Sequence, residues 1–504
     1  MKILFIHNMS ENLGIEYLSS FLKAKGHEVR LSFDPWLMKA DIFEAISAMN
    51  KKADRLINRL HQKSSEIIKR KILENIKSYQ PDVIGFSLYT NNLLWAIDMA
   101  KNIKNISSAD IVCGGPHATT AVERVLSNEC FDYAIVGEGE YALSEFLDCK
   151  SNGLSFDNIS NLAFKKNGNI ITNRVREYIY NLDVLPFPDK NLFYEKVPQL
   201  KECYLVMTSR GCPFRCSYCI NDAVQSRYEG VVRHIRLRSV ENVISELRNL
   251  KNDKNIKAVF FEDDVFTLDK KRLEELMYRY KREVNIPFWC FVHPRTITQQ
   301  VARVLKYGGC WMGNMGMQSG SERIRSVVMG RNETNQDILN ASGYLKAEGI
   351  KLSLDVILGA PKETIEDLEK TSDILTAIKP DRLNTYWITY YPRTSIINIA
   401  LKDGNIDSKF VEGIEEGKLP VRMSDGGSVL TNKDTYKYYE LLYTMLAFFK
   451  TSRKGKLSII KKTAKMLPCK SYFKRFFELL ITLRNRDFKF FYLIRYVLSA
   501  KTIP

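Results

Sequence analysis

The chain is 504 residues long, 45% hydrophobic and 26% charged, with a formal net charge of +17. That composition excludes disordered, collagen-like and disulfide-dense classes, and the length gives room for two to four domains with cores of their own. The charge excess sits in one place, with fifteen Lys or Arg against two acids from residue 450 onward and 60 basic against 56 acidic side chains before it. This argues against nucleic acid as the partner of the whole chain.

No run of eighteen uninterrupted apolar residues exists, so no membrane span is expected. Ten cysteines at irregular spacing, with no apolar signal core after Met1-Lys2, point to the reducing cytoplasm, where thiols serve metals.

Residues 1–148 alternate short apolar runs with helical patterns, the signature of a doubly wound α/β domain with a parallel sheet. Strands are expected at 3–6, 29–33, 83–87, 111–114 and 133–136, with ligands at their carboxyl ends. The Lys-, Arg- and Glu-rich stretch 41–79 has helical spacing and reads as one or two amphipathic helices with a solvated face. Glycine and polar residues cluster where strands should end: Ser87, then Gly114, Gly115 and His117, then Gly137 and Glu138. Glycines there admit a bulky flat or phosphorylated ligand, and the same residues also serve tight strand-to-helix turns. Residues 149–200, including Leu182-Asp-Val-Leu-Pro-Phe-Pro-Asp189, read as a linker.

From residue 201 to 400 the alternation returns six times, with strands expected at 204–208, 258–262, 288–292, 311–318, 352–358 and 384–389. Helical patterns at 239–250, 269–283, 333–346 and 363–377 fall between them. Six βα units predict a partial (β/α)6 barrel of the TIM type, whose chemistry sits at the carboxyl-terminal rim. Directly after its first strand stands Arg210-Gly-Cys-Pro-Phe-Arg-Cys-Ser-Tyr-Cys219. Three thiols in eight residues, Cys212, Cys216 and Cys219, can hold three irons of a four-iron, four-sulfur cluster and leave the fourth open. A zinc site of these three cysteines with His234 is the competing reading, although zinc signatures pair two close couples of ligands.

Other polar groups end the following strands. Glu262, Asp263 and Asp264 can bind a metal or an ammonium group, and Asp264 is the expected cap of the next helix. Gln318 and Ser319 end the fourth strand, Gly359 follows the fifth, and Arg295 and Arg393 are positioned to meet an anionic group. Residues 401–504 lose this rhythm and read as mainly helical, with Phe448, Phe449, Tyr472, Phe473, Phe476, Phe477, Phe488, Phe490, Phe491 and Tyr492 interleaved with basic residues. Such helices lie on anionic membranes or pack on a neighbouring domain with their lysines in water.

The CxxxCxxC spacing, with Tyr218 before its last cysteine, resembles the radical S-adenosylmethionine (SAM) superfamily. GGPHAT and VGEGE, in this order ahead of it, resemble the cobalamin-binding-domain radical SAM family over about 400 residues. The resemblance implies that Cys212, Cys216 and Cys219 hold a 4Fe-4S cluster beside Tyr218, and that Glu262 and Asp263 meet the amino group of SAM. It further implies that Gln318, where the family often has Glu, lies at the SAM ribose with Ser319 beside it, and that Gly359 lines the adenine. By the same resemblance Ser87, Gly114, Gly115, His117, Gly137 and Glu138 line cobalamin. One departure stands out: the Asp-x-His-x-x-Gly motif that supplies an axial histidine is absent, and His7-Asn-Met-Ser-Glu-Asn-Leu-Gly14 stands in its place. Either the corrinoid is held without a protein histidine on cobalt, or the domain has lost it.

The implied reaction is methyl transfer to an unactivated carbon of a small-molecule or lipid substrate, with electrons from a donor such as flavodoxin or ferredoxin. Radical cyclisation or rearrangement, RNA modification, and a non-catalytic iron–sulfur electron carrier are the alternatives. The basic tail adds an expected peripheral contact with a membrane.

Overall fold

The computed structural model describes residues 1–35, 51–228, 235–418, 433–468 and 470–485, with side chains from residue 65 in the helix that starts at 51. They form two compact units. The first is Met1–Pro198 with Tyr218–Arg233 and Tyr390–Arg422, and the second is Gln199–Ser217 with His234–Thr389 and Met423–Pro504. His234, the fourth ligand of the competing zinc reading, the stretch 41–50 of the basic helical region and the aromatics from Phe488 to Tyr492 lie outside the described residues.

In the first unit, strands β1 (Lys2–His7), β2 (Glu28–Phe33), β3 (Val83–Ser87), β4 (Asp110–Gly114) and β5 (Tyr133–Ile135) are parallel, in the order β2-β1-β3-β4-β5. Ile3, Leu4, Phe5 and Ile6 are all buried, as a strand covered on both faces requires. The helix Leu13–Ala24 starts at Asn12, whose side chain accepts from the Ile15 amide at 3.0 Å.

Residues 149–200 are not a linker. Strands β6 (Leu162–Lys166) and β7 (Asn169–Thr172) continue the sheet antiparallel to β5, with Tyr133 opposite Phe164. The polar backbone edge of β5 needs partners, and this hairpin supplies them. Further along, Asp189 accepts from Ser19 and Lys23, while buried Lys190 bridges Glu11 at 2.9 Å and Glu16 at 2.8 Å. Burial holds the Glu16 carboxyl well above its usual range, against the opposing pull of Lys190.

The second unit is built on six parallel strands in the order β15-β14-β13-β12-β11-β8. They are β8 (Cys203–Val206), β11 (Ala258–Phe261), β12 (Phe288–Val292), β13 (Cys310–Gln318), β14 (Lys351–Leu358) and β15 (Arg382–Trp387). A two-stranded ribbon of β9 (Ser209–Arg210) and β10 (Arg236–Leu237) stands beside them. Alternation sorts the side chains. Leu352, Leu354, Val356 and Leu358 join the core formed with the helices, whereas Phe260, Trp289, Phe291 and Trp311 gather in a separate aromatic cluster on the inner face. Phe260 stacks on Trp289 at 5.0 Å between centroids. On β14 and β15 the inner positions are polar, and Asn384 donates to Asp355 at 2.7 Å and to Ser353 at 3.2 Å.

The helix Lys270–Glu283 is capped by Asp269, not Asp264, because Asp269 accepts from the Arg272 amide. The helices Asn335–Ala347 and Ile365–Ile378 each open on a capping box. Three tail helices, Lys433–Phe449, Lys454–Met466 and Lys470–Asn485, bring Tyr436, Leu442, Tyr443, Ile460 and Ile481 into the core of this unit, with Phe448, Phe473 and Phe477 packed against it. No helix among the described residues is long and apolar enough to cross a membrane.

Candidate active site at the cysteine loop

The loop that carries the thiols leaves β8 on a rigid base. Asp263 is buried, and its carboxylate accepts from the Thr208 amide at 3.1 Å, from the Thr208 hydroxyl at 3.0 Å and from Ser209. Burial raises its pKa, and those donors oppose the rise. Asp263 therefore ties the ends of β8 and β11 together and has no oxygen aimed at an ammonium group. Arg272 adds to the base by donating to the Arg238 carbonyl at 2.8 Å, and buried Arg238 pairs with Glu246 at 2.6 Å.

Cys216 is buried, and Cys212 and Cys219 are half-buried; none of the three is in a disulfide. A second loop, ending the π-helical turn Ile324–Val328, grips the first. The Ser217 amide donates to Met329 at 3.0 Å, and its hydroxyl donates to Val328 at 2.6 Å. Gly330, at φ +66°, has the Arg215 carbonyl 2.8 Å from where a Cβ would stand, so a side chain there would break the fit.

Next to it, buried Arg331 reaches Cys216 Sγ at 3.7 Å, the Gly316 carbonyl at 2.9 Å and Glu333 at 2.5 Å. His293 stacks on Phe214 at 3.8 Å and stands 3.8 Å from Glu333. Burial, then Arg331 and Arg295, lowers its pKa to about 3, so the ring is neutral. Between these groups lies a cavity of about 240 Å³ lined by Pro213, Phe214, Arg215, Cys216, His293, Arg295 and residues 330–333.

Sequence reasoning missed Arg331, Glu333 and His293. Gly330, ahead of two opposite charges, is the signal that would have found the first two.

This donor set fits a cluster. The Arg331 guanidinium lies 3.7 Å from the Cys216 sulfur and brings positive charge to the thiol trio. Among the described residues no three His, Cys, Asp or Glu side chains converge on a single ion, and a cluster asks for thiolates spread over several irons. Cys219 and Tyr218 belong to the first unit, where Cys219 precedes the helix Ile220–Gln225 and lies near the half-buried Tyr391, whose pKa is raised chiefly by loss of solvent.

The remaining rim residues divide. Glu262 is exposed. Gln318 ends β13 at φ +67°, where the register shifts, and its amide lies over Gly316, 2.3 Å from where a Cβ would be. A left-handed glutamine held over a glycine is strained backbone at a strand end, a feature of ligand sites. Ser319 is buried; its hydroxyl accepts from Ser321 at 3.2 Å and its carbonyl from Arg325. It shapes the turn. The Gly359 amide donates to Glu363 at 2.8 Å, and burial pushes that carboxyl up to about 8.

In the first unit the expected corrinoid contacts are largely committed to the protein. His117 bonds Thr90 through Nδ1 at 3.0 Å and the Glu415 carbonyl through Nε2 at 3.0 Å, so both ring nitrogens are used. Glu138 accepts from the Ile179 amide at 2.9 Å, and its own amide donates to Tyr228 at 2.9 Å. The Tyr228 hydroxyl stands 2.3 Å from where a Cβ on Gly137 would be, and a Cβ on Gly115 would lie 2.9 Å from the Leu88 carbonyl. Both glycines thus answer to packing. Arg393, expected at an anionic group, donates to the Thr120 carbonyl at 2.7 Å and sits 3.6 Å from Glu123.

Open to a ligand are Ser87, half-buried at the end of β3, Gly114 at the end of β4, and above all His7. His7 is buried at the end of β1, and its Nδ1 makes no hydrogen bond of good geometry; burial lowers its pKa to about 4, against the opposing pull of the Ser10 backbone. An orphaned buried nitrogen at a carboxyl-terminal strand end suits a large ligand there.

Comparison with known proteins agrees with both halves. A model of the B12 binding domain matches residues 6–147, and a model of the radical SAM superfamily matches residues 206–375. An uncharacterized methyltransferase of Pyrococcus horikoshii, PH0819, is 33% identical over 66% of this chain and 72% of its own length. An anaerobic magnesium-protoporphyrin IX monomethyl ester cyclase of Rubrivivax gelatinosus is 23% identical over 78% of this chain and 68% of its own. In fold, the cobalamin-dependent SAM radical enzyme OxsB superposes with a TM-score of 0.66 at 16% identity, covering 95% of this chain and 72% of that one. The radical SAM methyltransferase TsrM of Kitasatospora setae gives 0.62 at 16% identity, covering 79% and 75%. A B12 binding domain followed by a six-stranded barrel with a CxxxCxxC loop at its rim makes this chain a member of the cobalamin-binding-domain radical SAM family.

Proposed function

We propose that the protein is a cobalamin-dependent radical SAM methyltransferase acting on an unactivated carbon of a small-molecule or lipid substrate. The observation that carries this is the cysteine loop, clamped at the rim of a parallel barrel in a chain that also has a B12 binding domain and a methyltransferase among its relatives. When bound, the cluster, SAM and corrinoid supply the radical and the methyl group.

The chain's own residues do the rest. Cys212, Cys216 and Cys219 bind iron, and Arg331 places its positive charge beside the Cys216 sulfur. Glu262 and Gln318 orient SAM from the strand ends, Tyr218 flanks the last thiolate, and Gly359 leaves room for the base. Asp263 and Ser319 fix the backbone on which these residues stand. His7, Ser87 and Gly114 face the corrinoid. The aromatic inner face of β11, β12 and β13 excludes water, while Asp355 and Asn384 orient the polar end of a substrate.

Anaerobic reconstitution with iron, sulfide and cobalamin tests the reading. Cluster and corrinoid absorbance together with release of 5′-deoxyadenosine are expected, and a protein that takes up neither group would sink it. Radical cyclisation is the second reading, favoured by the 23% identity to the cyclase; isotope-labelled methyl from SAM appears in product only if the first is right. Exposed Ile459, Met466, Phe476, Leu479 and Leu483 among tail lysines support contact with an anionic lipid surface. Flotation with phosphatidylserine vesicles, lost at high salt, is the expected result.

A further inference from the structure

The tail helix Lys433–Phe449 has no part in the chemistry above, yet it sends three buried tyrosines, Tyr436, Tyr439 and Tyr443, onto one neighbouring segment. Spacings of three and four residues put them on a single face. The segment runs from Glu363 to Thr371 and includes the start of the helix Ile365–Ile378, all within the second unit. The Tyr443 hydroxyl donates to the Leu368 carbonyl at 2.7 Å and meets the Thr371 hydroxyl; that of Tyr439 donates to Glu369 at 2.7 Å, and that of Tyr436 bonds Glu363. Lys461 of the next tail helix takes the other Glu369 oxygen at 2.6 Å. Elsewhere the tail packs with Phe448, Phe473 and Phe477, which need no polar partner, whereas each buried hydroxyl does.

The same segment grips two loops at the strand ends. Glu363 accepts from the Gly359 amide at 2.8 Å, Asp367 accepts from the Ser321 hydroxyl at 2.6 Å, and the Thr371 hydroxyl accepts from the Gly320 amide at 2.9 Å. The last fit is close: a Cβ on Gly320 would stand 2.5 Å from the Thr371 Cα, so the helix cannot shift without moving residues 318–321. Glu363 and Thr371 thus each join a tyrosine of the tail to an amide of a loop. We propose that Tyr436 and Tyr443 are positioning residues for SAM: the tail helix fixes residues 363–371, and through Glu363 and Thr371 it sets the Gly359 loop and residues 318–321 where the nucleoside needs them. The proposal rests on the reading above that these loops meet the base and the ribose. A loop that is already ordered loses less freedom on binding, so the effect falls on SAM affinity and not on the chemical step.

The test uses the full-length protein with its cluster assembled. In Tyr436→Phe/Tyr443→Phe both rings stay in the core and only the hydroxyls go. Amide exchange across 318–321 and 359–363, measured without SAM, should quicken about tenfold. The Kd for S-adenosylhomocysteine and the KM for SAM should each rise about tenfold, while iron content, the cluster spectrum and 5′-deoxyadenosine release at saturating SAM keep their wild-type values. Glu363→Gln keeps an acceptor for Gly359 and a partner for Tyr436, so it should retain most of the affinity that Glu363→Ala loses.

Tyr280→Phe is the control, since Tyr280 is buried in the same core and its hydroxyl donates to the Ile286 carbonyl at 2.8 Å, with no bond to either loop. It should lower the melting temperature and leave SAM affinity unchanged. Equal loss of affinity in Tyr280→Phe and in the tail variant reduces the effect to general stability and overturns the proposal. Unchanged exchange at both loops of the tail variant also overturns it. Quickened exchange with unchanged SAM affinity means that the tail holds the loops but the nucleoside lies elsewhere, which overturns the reading on which the proposal rests.

Discussion

The glycine-rich strand ends of the first unit and the cysteine loop of the second are both motif-bearing turns at the carboxyl ends of parallel strands, yet they use their polar groups differently. In the first, His117, Glu138 and the positions beside Gly115 and Gly137 are consumed by internal packing, while His7 Nδ1, at the end of β1, makes no hydrogen bond of good geometry. In the second, packing is delegated to neighbours: Asp263, Ser217, Gly330 and Arg331 hold the loop, while the thiols are in no disulfide. Polar residues at a strand end are therefore weak evidence of a ligand until their partners are counted, whereas clustered thiols with a cation behind them are strong.

The largest expected effect tests how far the first unit depends on its buried charges. Lys190→Met removes the partner of Glu11 and Glu16 and should destabilise that unit by about 3–5 kcal/mol, read from chemical unfolding. Arg331→Met leaves Glu333 buried without its cation. A loss of about 3 kcal/mol and poor iron retention are expected, with corrinoid uptake unchanged. Retained iron at full stability would mean that the second loop does not support the first.

The two histidines sharpen the contrast. His117→Ala breaks two buried hydrogen bonds and should cost about 1–3 kcal/mol without altering the corrinoid spectrum, whereas His7→Ala should alter corrinoid affinity at a smaller cost in stability. A swapped pattern would reverse their assigned roles.

A further effect, set by pH, concerns Glu363. Its carboxyl is raised from 4.5 to about 8 when folded, so the folded chain keeps a proton that the unfolded chain has lost, and stability falls as pH rises across that window. Glu363→Gln should flatten the melting temperature over the same range.

Much of this was legible in the sequence because burial on two faces writes itself as continuous apolar runs. Residues 3–6 and the alternating core positions of 352–358 announced their strands. The hairpin of β6 and β7 did not, since β7 is only four residues long and mostly exposed. Its one signal was Asn167-Gly168, whose φ values of +53° and +80° suit the tight turn that such pairs favour. The thiols were legible because their spacing is a chemical requirement. Arg331 and Glu333 were not, because a charge pair in a polar run looks solvated until the fold buries it. Asp263 was misread for the same reason, as three successive acids do not say which one turns inward.

The most direct test of the central claim is anaerobic SAM cleavage by reconstituted wild-type protein and Cys216→Ala, side by side. The account predicts about four irons per chain, a corrinoid band and steady release of 5′-deoxyadenosine from the wild type, and loss of the nucleoside with the corrinoid band retained in the variant. Equal cleavage by the two proteins, or none by a wild type carrying its full iron, would contradict it.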